Sequence, residues 1–532
     1  MNIDHLLNID HLLNIDHLTT GVLRIQKNVL YCIVFLKHNV QAYTNRMSRT
    51  LPQRVYVEGK RSAMNDDRIP LFWACQYGHT GIARVLLEGG ATVDQARKDG
   101  ETPLYVACQY GHTDIVKALL TARADTNQAM KDGATPLLIA SWYGHTDIVK
   151  ALLEGGATVD QAKKNGATPL YVACLIGQTE TVSVLLDEGG ATVDQATNDG
   201  WTPLYVACQC GHTETARVLL EGGATVDQAN KNGRTPLCIA CKYGQTETAS
   251  VLLDEGGATV DQADQYGQTP LYMACRNGHT ETVSVLLDEG GATVDQAKND
   301  GGTPLYVACE NGHTETARVL LSGGANPNQA DQYGFTPLCM ACQNGHTDIV
   351  KVLLDEGGAT VDQARNDGVT PLFVACQNGH TDIVNVLLEG GATVDQARNG
   401  GATPLFVACA WGRTDIASVL LDRGATLEDG PMDNLYTITP LMIATRHNNI
   451  QIGVVLILYG ANYLYVLQNC QNEQWHQNIT QLMDIAIPRI QRRCVERNKM
   501  WEEELIAKAW HPDRFMDWCW DIEEQKEFTL ED

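Results

Sequence analysis

Seventeen cysteines and fifteen histidines give this 532-residue chain the raw material for metal binding, disulfides or nucleophilic catalysis. Their spacing argues against all three. Cys75, Cys108, Cys174, Cys208, Cys241, Cys275, Cys309, Cys342, Cys376 and Cys409 recur at steps of one or two periods of 33 or 34 residues, and Ser141 fills the one gap in the series. A position that accepts Cys or Ser is a small packed site. Cys238-x-x-Cys241 and Cys339-x-x-Cys342 have the outline of half zinc knuckles, but three periods separate them, so no four-ligand site closes. His79, His112, His145, His212, His279, His313, His346 and His380 keep the same rhythm, and Gln178 and Gln245 replace two further members. Gln can hydrogen-bond in a turn but cannot do the acid–base work of an imidazole, so a local structural role is expected. Neighbouring rungs of such a ladder stand far beyond the ~2 Å of a metal–nitrogen bond. The chain has no G-x-S-x-G, no phosphate-cradling glycine loop and no H-E-x-x-H. No enzyme activity, metal or cofactor is therefore expected from the periodic region.

The elements that carry these residues follow from the period itself. Thr-Pro-Leu begins at 102, 135, 168, 202, 235, 269, 303, 336, 370, 403 and 439, with a degenerate Ile69-Pro70-Leu71 upstream, which makes twelve units. In the second unit Thr102 is a good N-cap, Pro103 suits the first helical position, and Gly111 can end a short helix in the left-handed conformation. Thr113 is expected to cap a second helix, with Asp114 in its first turn and Ile115, Val116, Leu119 and Leu120 as its apolar stripe. A Gly-Gly pair usually closes that helix, and a polar stretch such as Thr158–Gly166 leads on. Each unit reads as helix, turn, helix, hairpin finger, and only stacking buries its apolar faces.

These motifs resemble the ankyrin repeat over about 400 residues. The family pattern continues Thr-Pro-Leu with His, and this chain places Tyr105, Leu138, Cys238, Phe373 or Met442 there instead. The resemblance implies an all-α repeat solenoid with short β-hairpin fingers. It also implies protein binding through a concave surface of finger tips and first-helix residues. Counted from each Thr, the offsets −4, −3, −1, +7 and +8 vary among the units and coincide with the family's contact positions. The candidates there are Tyr77, Lys98, Asp99, Gln109, Tyr110, Trp142, Tyr143, Trp201, Tyr243, Tyr266 and Tyr333, with Glu101 beside them. Aromatic residues favour the N-terminal half, and Asn277, Asn311, Asn344 and Asn378 hold the Tyr110 offset further on.

Composition sets the outer limits. The net charge is −25, and the repeat region from 69 to 431 holds 21 basic and 43 acidic residues. An acidic body of this size repels phosphate backbones, so the expected partner is a protein, a basic one on net charge, rather than nucleic acid. No apolar run approaches the ~18 residues of a membrane span. Val29–Leu36, after Arg24 and Lys27, has the outline of a signal-peptide core but lacks a following A-x-A-like site. With that, the cysteine rhythm favours a reducing compartment, cytoplasm or nucleus, and a monomer is expected.

Three regions result: 1–65 of low complexity, 66–466 as the array, and 467–532 as a Trp-rich acidic tail. Asn-Ile-Asp-His-Leu recurs every six residues through the first eighteen, which fits no coiled coil and reads as a tandem duplication or an overextended start ahead of Met47 or Met64. In the twelfth unit Arg446-His447-Asn448-Asn449 replaces the Gly-His turn. Residues 479–510 read as helical, with Leu482, Ile485, Ile490 and Val495 inward. Trp475, Trp501, Trp510, Trp518 and Trp520 also lie in this tail. His511-Pro512-Asp513 is similar to the loop of J-domain co-chaperones, without the segments that flank it there. Two alternatives to a non-catalytic scaffold follow: an adaptor whose tail recruits a chaperone or other effector, and an enzyme with its site in 470–532.

Overall fold

The computed structural model describes residues 70–433, 436–469 and 473–496. The N-terminal duplication, Met47, Met64, Trp501 and His511-Pro512-Asp513 lie outside them, as do the side chains of Trp475, Ile490 and Val495.

Twelve helix pairs follow one another at the sequence period, from Pro70–Gln76 with Thr80–Glu88 to Pro440–Arg446 with Ile450–Leu458. The first helices pack on one another in one row and the second helices in another. Every Thr of the Thr-Pro-Leu series caps its helix; Thr102 Oγ1, for example, accepts from the Tyr105 N–H at 3.0 Å. Pro fills the next position, where no N–H is needed. Gly111 turns the chain with φ +75°.

Thr113 does not cap the second helix. It is the first helical residue, and His112 stands before it with no side-chain cap. In several other units the equivalent threonine is used between units, whereas Ile148 stands where a partner of Thr113 would be. Thr146 and Thr181, Thr179 and Thr215, Thr213 and Thr248, and Thr246 and Thr282 pair through their hydroxyls at 2.7–3.1 Å. The stripe Ile115, Val116 and Leu119 is fully buried, with Leu120 at its edge.

The fingers are tight turns rather than hairpin ladders. Each closes on itself through one or two backbone bonds, as in Met130 N to Ala134 O at 2.8 Å and Gly133 N to Met130 O at 2.9 Å. Adjacent fingers then join by a single backbone bond, Lys131 N to Asp99 O at 3.1 Å and its counterparts along the array, and in places by an Asn side chain such as Asn198, whose amide donates to the Lys164 carbonyl at 2.9 Å. Five residues leave no length for paired strands. Among the described residues the strand pairing is Met432–Asp433 with Tyr436–Thr437, in the longer connection before the twelfth unit.

The last unit keeps the geometry with different residues. Asn448 takes the left-handed conformation of the missing glycine, at φ +55°. Helices Tyr463–Asn469 and Glu473–Glu496 follow it. The longer one begins ahead of residue 479 and lays the buried Leu482 against Gly453, where a Cβ would stand 2.6 Å from the leucine. Ile485 is half-buried. No helix of the described residues is long and apolar enough to cross a membrane.

Candidate protein-interaction face

The residues that looked chemical in the sequence are structural. The ten rhythmic cysteines are free thiols sealed among the first helices. Burial pushes the Cys75 thiol up to about 12, and the deeper Cys108, Cys174 and Cys275 also well above the ordinary range. Cys238 and Cys241 are both buried inside one first helix and face no partner pair. Among the described residues no three His, Cys, Asp or Glu side chains converge as metal ligands do.

The histidines hydrogen-bond across units, not locally. His112 Nε2 meets the Gln76 carbonyl of the preceding unit at 3.2 Å, His279 meets that of Lys242 at 3.1 Å, and the pattern repeats. Gln245 donates to the Gln209 carbonyl in the same way at 3.4 Å, and Asn449 to that of Cys409 at 2.7 Å. The imidazole also lies over the preceding unit's turn glycine. A Cβ on Gly111 would come within 2.8 Å of His145. Glycine is required there for its backbone and for its empty side, and the ladder is a joint between units.

Acid is likewise absorbed into the loops and outer helices. The Asp of a Thr-Val-Asp accepts from the next unit's loop: Asp160 takes the Thr192 N–H at 3.1 Å and hydroxyl at 2.7 Å, Asp227 does the same for Thr259, and Asp94 and Asp295 take the N–H of Asp125 and Asn326. Asp114, Asp147, Glu180 and Glu214 sit in the first turns of second helices, where the helix dipole favours them.

The variable offsets come together along one side. Trp201, just before its Thr, stacks on Tyr205 of the following helix at 5.7 Å. The Asn230 amide of the next finger donates to the Tyr205 hydroxyl at 3.1 Å. Tyr105 is raised by burial and then by Asp132 of the next finger, with Glu101 and Tyr143 also near. Finger bases, the residue three after each Thr and the residue eight after it therefore share a surface. Tyr110 and Tyr143 are exposed and stack on His112 and His145. Tyr77 stacks on Trp73. Trp142 is half-buried against the core, as are Trp201 and Tyr243, so these three are partly supports. Lys98 and Asp99 are exposed on a finger, and Gln109 is half-buried with its carbonyl meeting His145. Tyr266 and Tyr333 project from fingers at 54% and 60% exposure.

Overlapping stretches from residue 44 to residue 430 match the family described as ankyrin repeats (3 copies), about three quarters of the chain. The chain belongs to the ankyrin repeat family. A comparison with curated proteins finds no match. The matched ankyrin stretch stops before the twelfth unit, which the capping bond from Met442 N to Thr439 Oγ1 and the Asn449 joint identify as the same structure. Ankyrin repeats are generally protein–protein interaction modules, and this array has the all-helical repeat architecture that goes with that role.

Sequence reasoning missed a group of cations on this side. Arg234, Lys242 and Arg276 stand at contact offsets of the sixth and seventh units. Lys242 is held below the usual lysine range by burial first, and then by Arg234 and Arg276. The signal was present: all three occupy variable offsets, but charge summed over the whole array hid them.

Proposed function

We propose that the chain is a non-catalytic scaffold or adaptor that binds a partner protein through the ankyrin face of finger tips and first-helix residues, as a monomer in the reducing cytoplasm or nucleus. The supporting observation is the division of labour among positions. Cysteines, histidines, glycines and capping threonines are committed to joints and core, while the face varies from unit to unit and carries exposed rings such as Tyr110 and Tyr143. Tyr is effective in interfaces because it buries large area at modest entropic cost. Buried free thiols suit a reducing compartment.

The test starts from a partner isolated with the full chain and then purified. Tyr110→Ala or Trp142→Ala is expected to weaken its binding by ~1–3 kcal/mol, as interface hot spots do. Asn344→Ala should cost much less, since its amide already donates to the Glu310 carbonyl at 2.8 Å. Titration calorimetry reads the affinities, and circular dichroism confirms that each variant folds. Equal small losses at all three positions would remove the N-terminal half of the face from the proposal.

A further inference from the structure

Three residues before each Thr, at the finger tip, units two to eleven carry seven short Asp or Asn residues, Gly400, and two tyrosines, Tyr266 and Tyr333. The short polar ones hold the turn. Asp132 Oδ1 accepts the Ala134 N–H at 3.0 Å and Asp300 Oδ1 the Gly302 N–H at 3.1 Å, and Asp99, Asn165 and Asp367 act alike. In units seven and nine this duty lies two residues earlier. Asp264 Oδ1 accepts the N–H of Tyr266 at 2.9 Å and of Gln268 at 3.0 Å. Asp331 Oδ1 accepts those of Tyr333 at 2.9 Å and Phe335 at 2.8 Å. Asn230 is used likewise in unit six, beneath a short Asn232. The tip side chain then has no task in the turn, and the run Ala-Asp-Gln-Tyr-Gly places a tyrosine there both times.

The backbone beneath each ring is held by the next unit. Asn299 donates its N–H to the Tyr266 carbonyl at 3.1 Å and its side-chain amide to the Gln265 carbonyl at 3.1 Å. Asn366 does the same for Tyr333 at 3.2 Å and Gln332 at 3.0 Å. The rings themselves are more than half exposed. Elsewhere on this side rings are covered. Tyr110 and Tyr143 stack on histidines, and finger cations stand over others, Arg365 over Phe335 at 3.9 Å and Arg97 over Phe72 at 5.0 Å. Among the described residues no cation and no second ring is set against Tyr266 or Tyr333. On the finger between them Lys298 already pairs with Asp300 at 2.6 Å, so the rings are what stands open there. The face of an aromatic ring attracts a cation. An array with 21 basic and 43 acidic residues draws cations toward it.

We infer that Tyr266 and Tyr333 are paired anchors for a basic segment of a partner protein, with one Lys or Arg over each ring. The inference rests on the face proposed above and names both a place on it and the chemistry of its occupant. Packed helices stand ~8–10 Å apart, so two units set the rings roughly 16–20 Å apart. At ~3.3 Å per residue, five or six residues of extended chain span that distance.

The probe is a fluorescein-labelled decapeptide of Gly and Ser with Arg at its second and eighth positions, titrated into the full chain and read by anisotropy. Beside it run the same peptide with its two Arg adjacent, which has equal charge, and one with both replaced by Ala. The spaced peptide should bind most tightly, because it alone engages both rings at once. Tyr266→Ala with Tyr333→Ala should weaken it by about tenfold, the loss of two exposed ring–cation contacts. Tyr266→Phe with Tyr333→Phe keeps the rings and should keep the affinity, and Tyr110→Ala should leave it unaltered. Circular dichroism confirms that each variant folds. Equal binding of the spaced and adjacent peptides, no measurable binding of either, undiminished binding by the double Ala variant, or equal loss in the double Phe variant overturns the inference. A purified partner that is weakened by Tyr110→Ala but not by the double Ala variant would leave the face standing and remove these anchors from it.

Discussion

A thiol enclosed by apolar helices keeps its proton, and that has a consequence for the stability of the array. The ordinary cysteine value lies near 9, and burial raises the rhythmic cysteines above it. Above that pH the unfolded chain loses thiol protons that the folded chain retains. The folded state is thus fully favoured below about pH 9 and loses stability progressively as pH rises toward the folded values. Buried Tyr105, Tyr171 and Tyr205 shift in the same direction and add to the loss. The melting temperature should be flat from pH 7 to 8.5 and fall steadily beyond it. At pH 8, mass spectrometry after iodoacetamide treatment should find the half-buried Cys210 labelled before Cys208 or Cys241. Rapid labelling of the buried set would mean that the stack opens at those sites.

At the scale of the helix pair, glycine does two separable jobs. Gly111 and Gly156 both have positive φ, but only Gly111 lies under the next unit's histidine; nothing comes within 4 Å of a Cβ built on Gly156. Gly156→Ala should cost ~1–2 kcal/mol for the left-handed backbone alone. Gly111→Ala should cost visibly more, with faster amide exchange at the joint between units two and three. Equal costs would show that the histidine yields freely. The converse change is favourable. Arg123 occupies, at φ +63°, the place that Gly156 holds in the next unit. Arg123→Gly should therefore stabilise the array by up to ~1 kcal/mol, measured by urea unfolding.

Over the whole molecule, the same acid that favours helix starts and loop joints also repels itself. The back of the array concentrates the negative charge, and ion pairs such as Lys150 with Glu188 and Arg217 with Glu255 relieve it only at intervals. Added salt screens this repulsion, with a Debye length of ~10 Å at 0.1 M falling to ~3 Å at 1 M. Raising sodium chloride from 20 mM to 500 mM should lift the melting temperature. A fall in melting temperature would show that the inter-unit ion pairs outweigh the repulsion.

The twelve helix pairs, their caps and their turn glycines were legible in the sequence because each depends on a few adjacent residues repeated at a fixed step. Thr102-Pro103 is a helix start wherever it stands, and the thirty-three-residue rhythm leaves stacking as the one way to bury Ile115, Val116 and Leu119. The small size of the cysteine site was legible for the same reason. What the sequence could not give was contact between residues about 36 positions apart. His112 was read as a local turn residue because its acceptor, the Gln76 carbonyl, becomes its neighbour only in the stack. Thr113 was read as a cap because Thr is a favoured N-cap, yet the helix starts on Thr113 itself, with His112 before it. The fingers were read as hairpins because turn residues such as Asn165-Gly166 do not reveal how many ladder bonds follow. The cationic field at Arg234, Lys242 and Arg276 depended on tertiary structure most of all. Net charge is a sum along the chain, whereas an interface responds to charges that share a surface, and only the packing of one unit on the next decided which did.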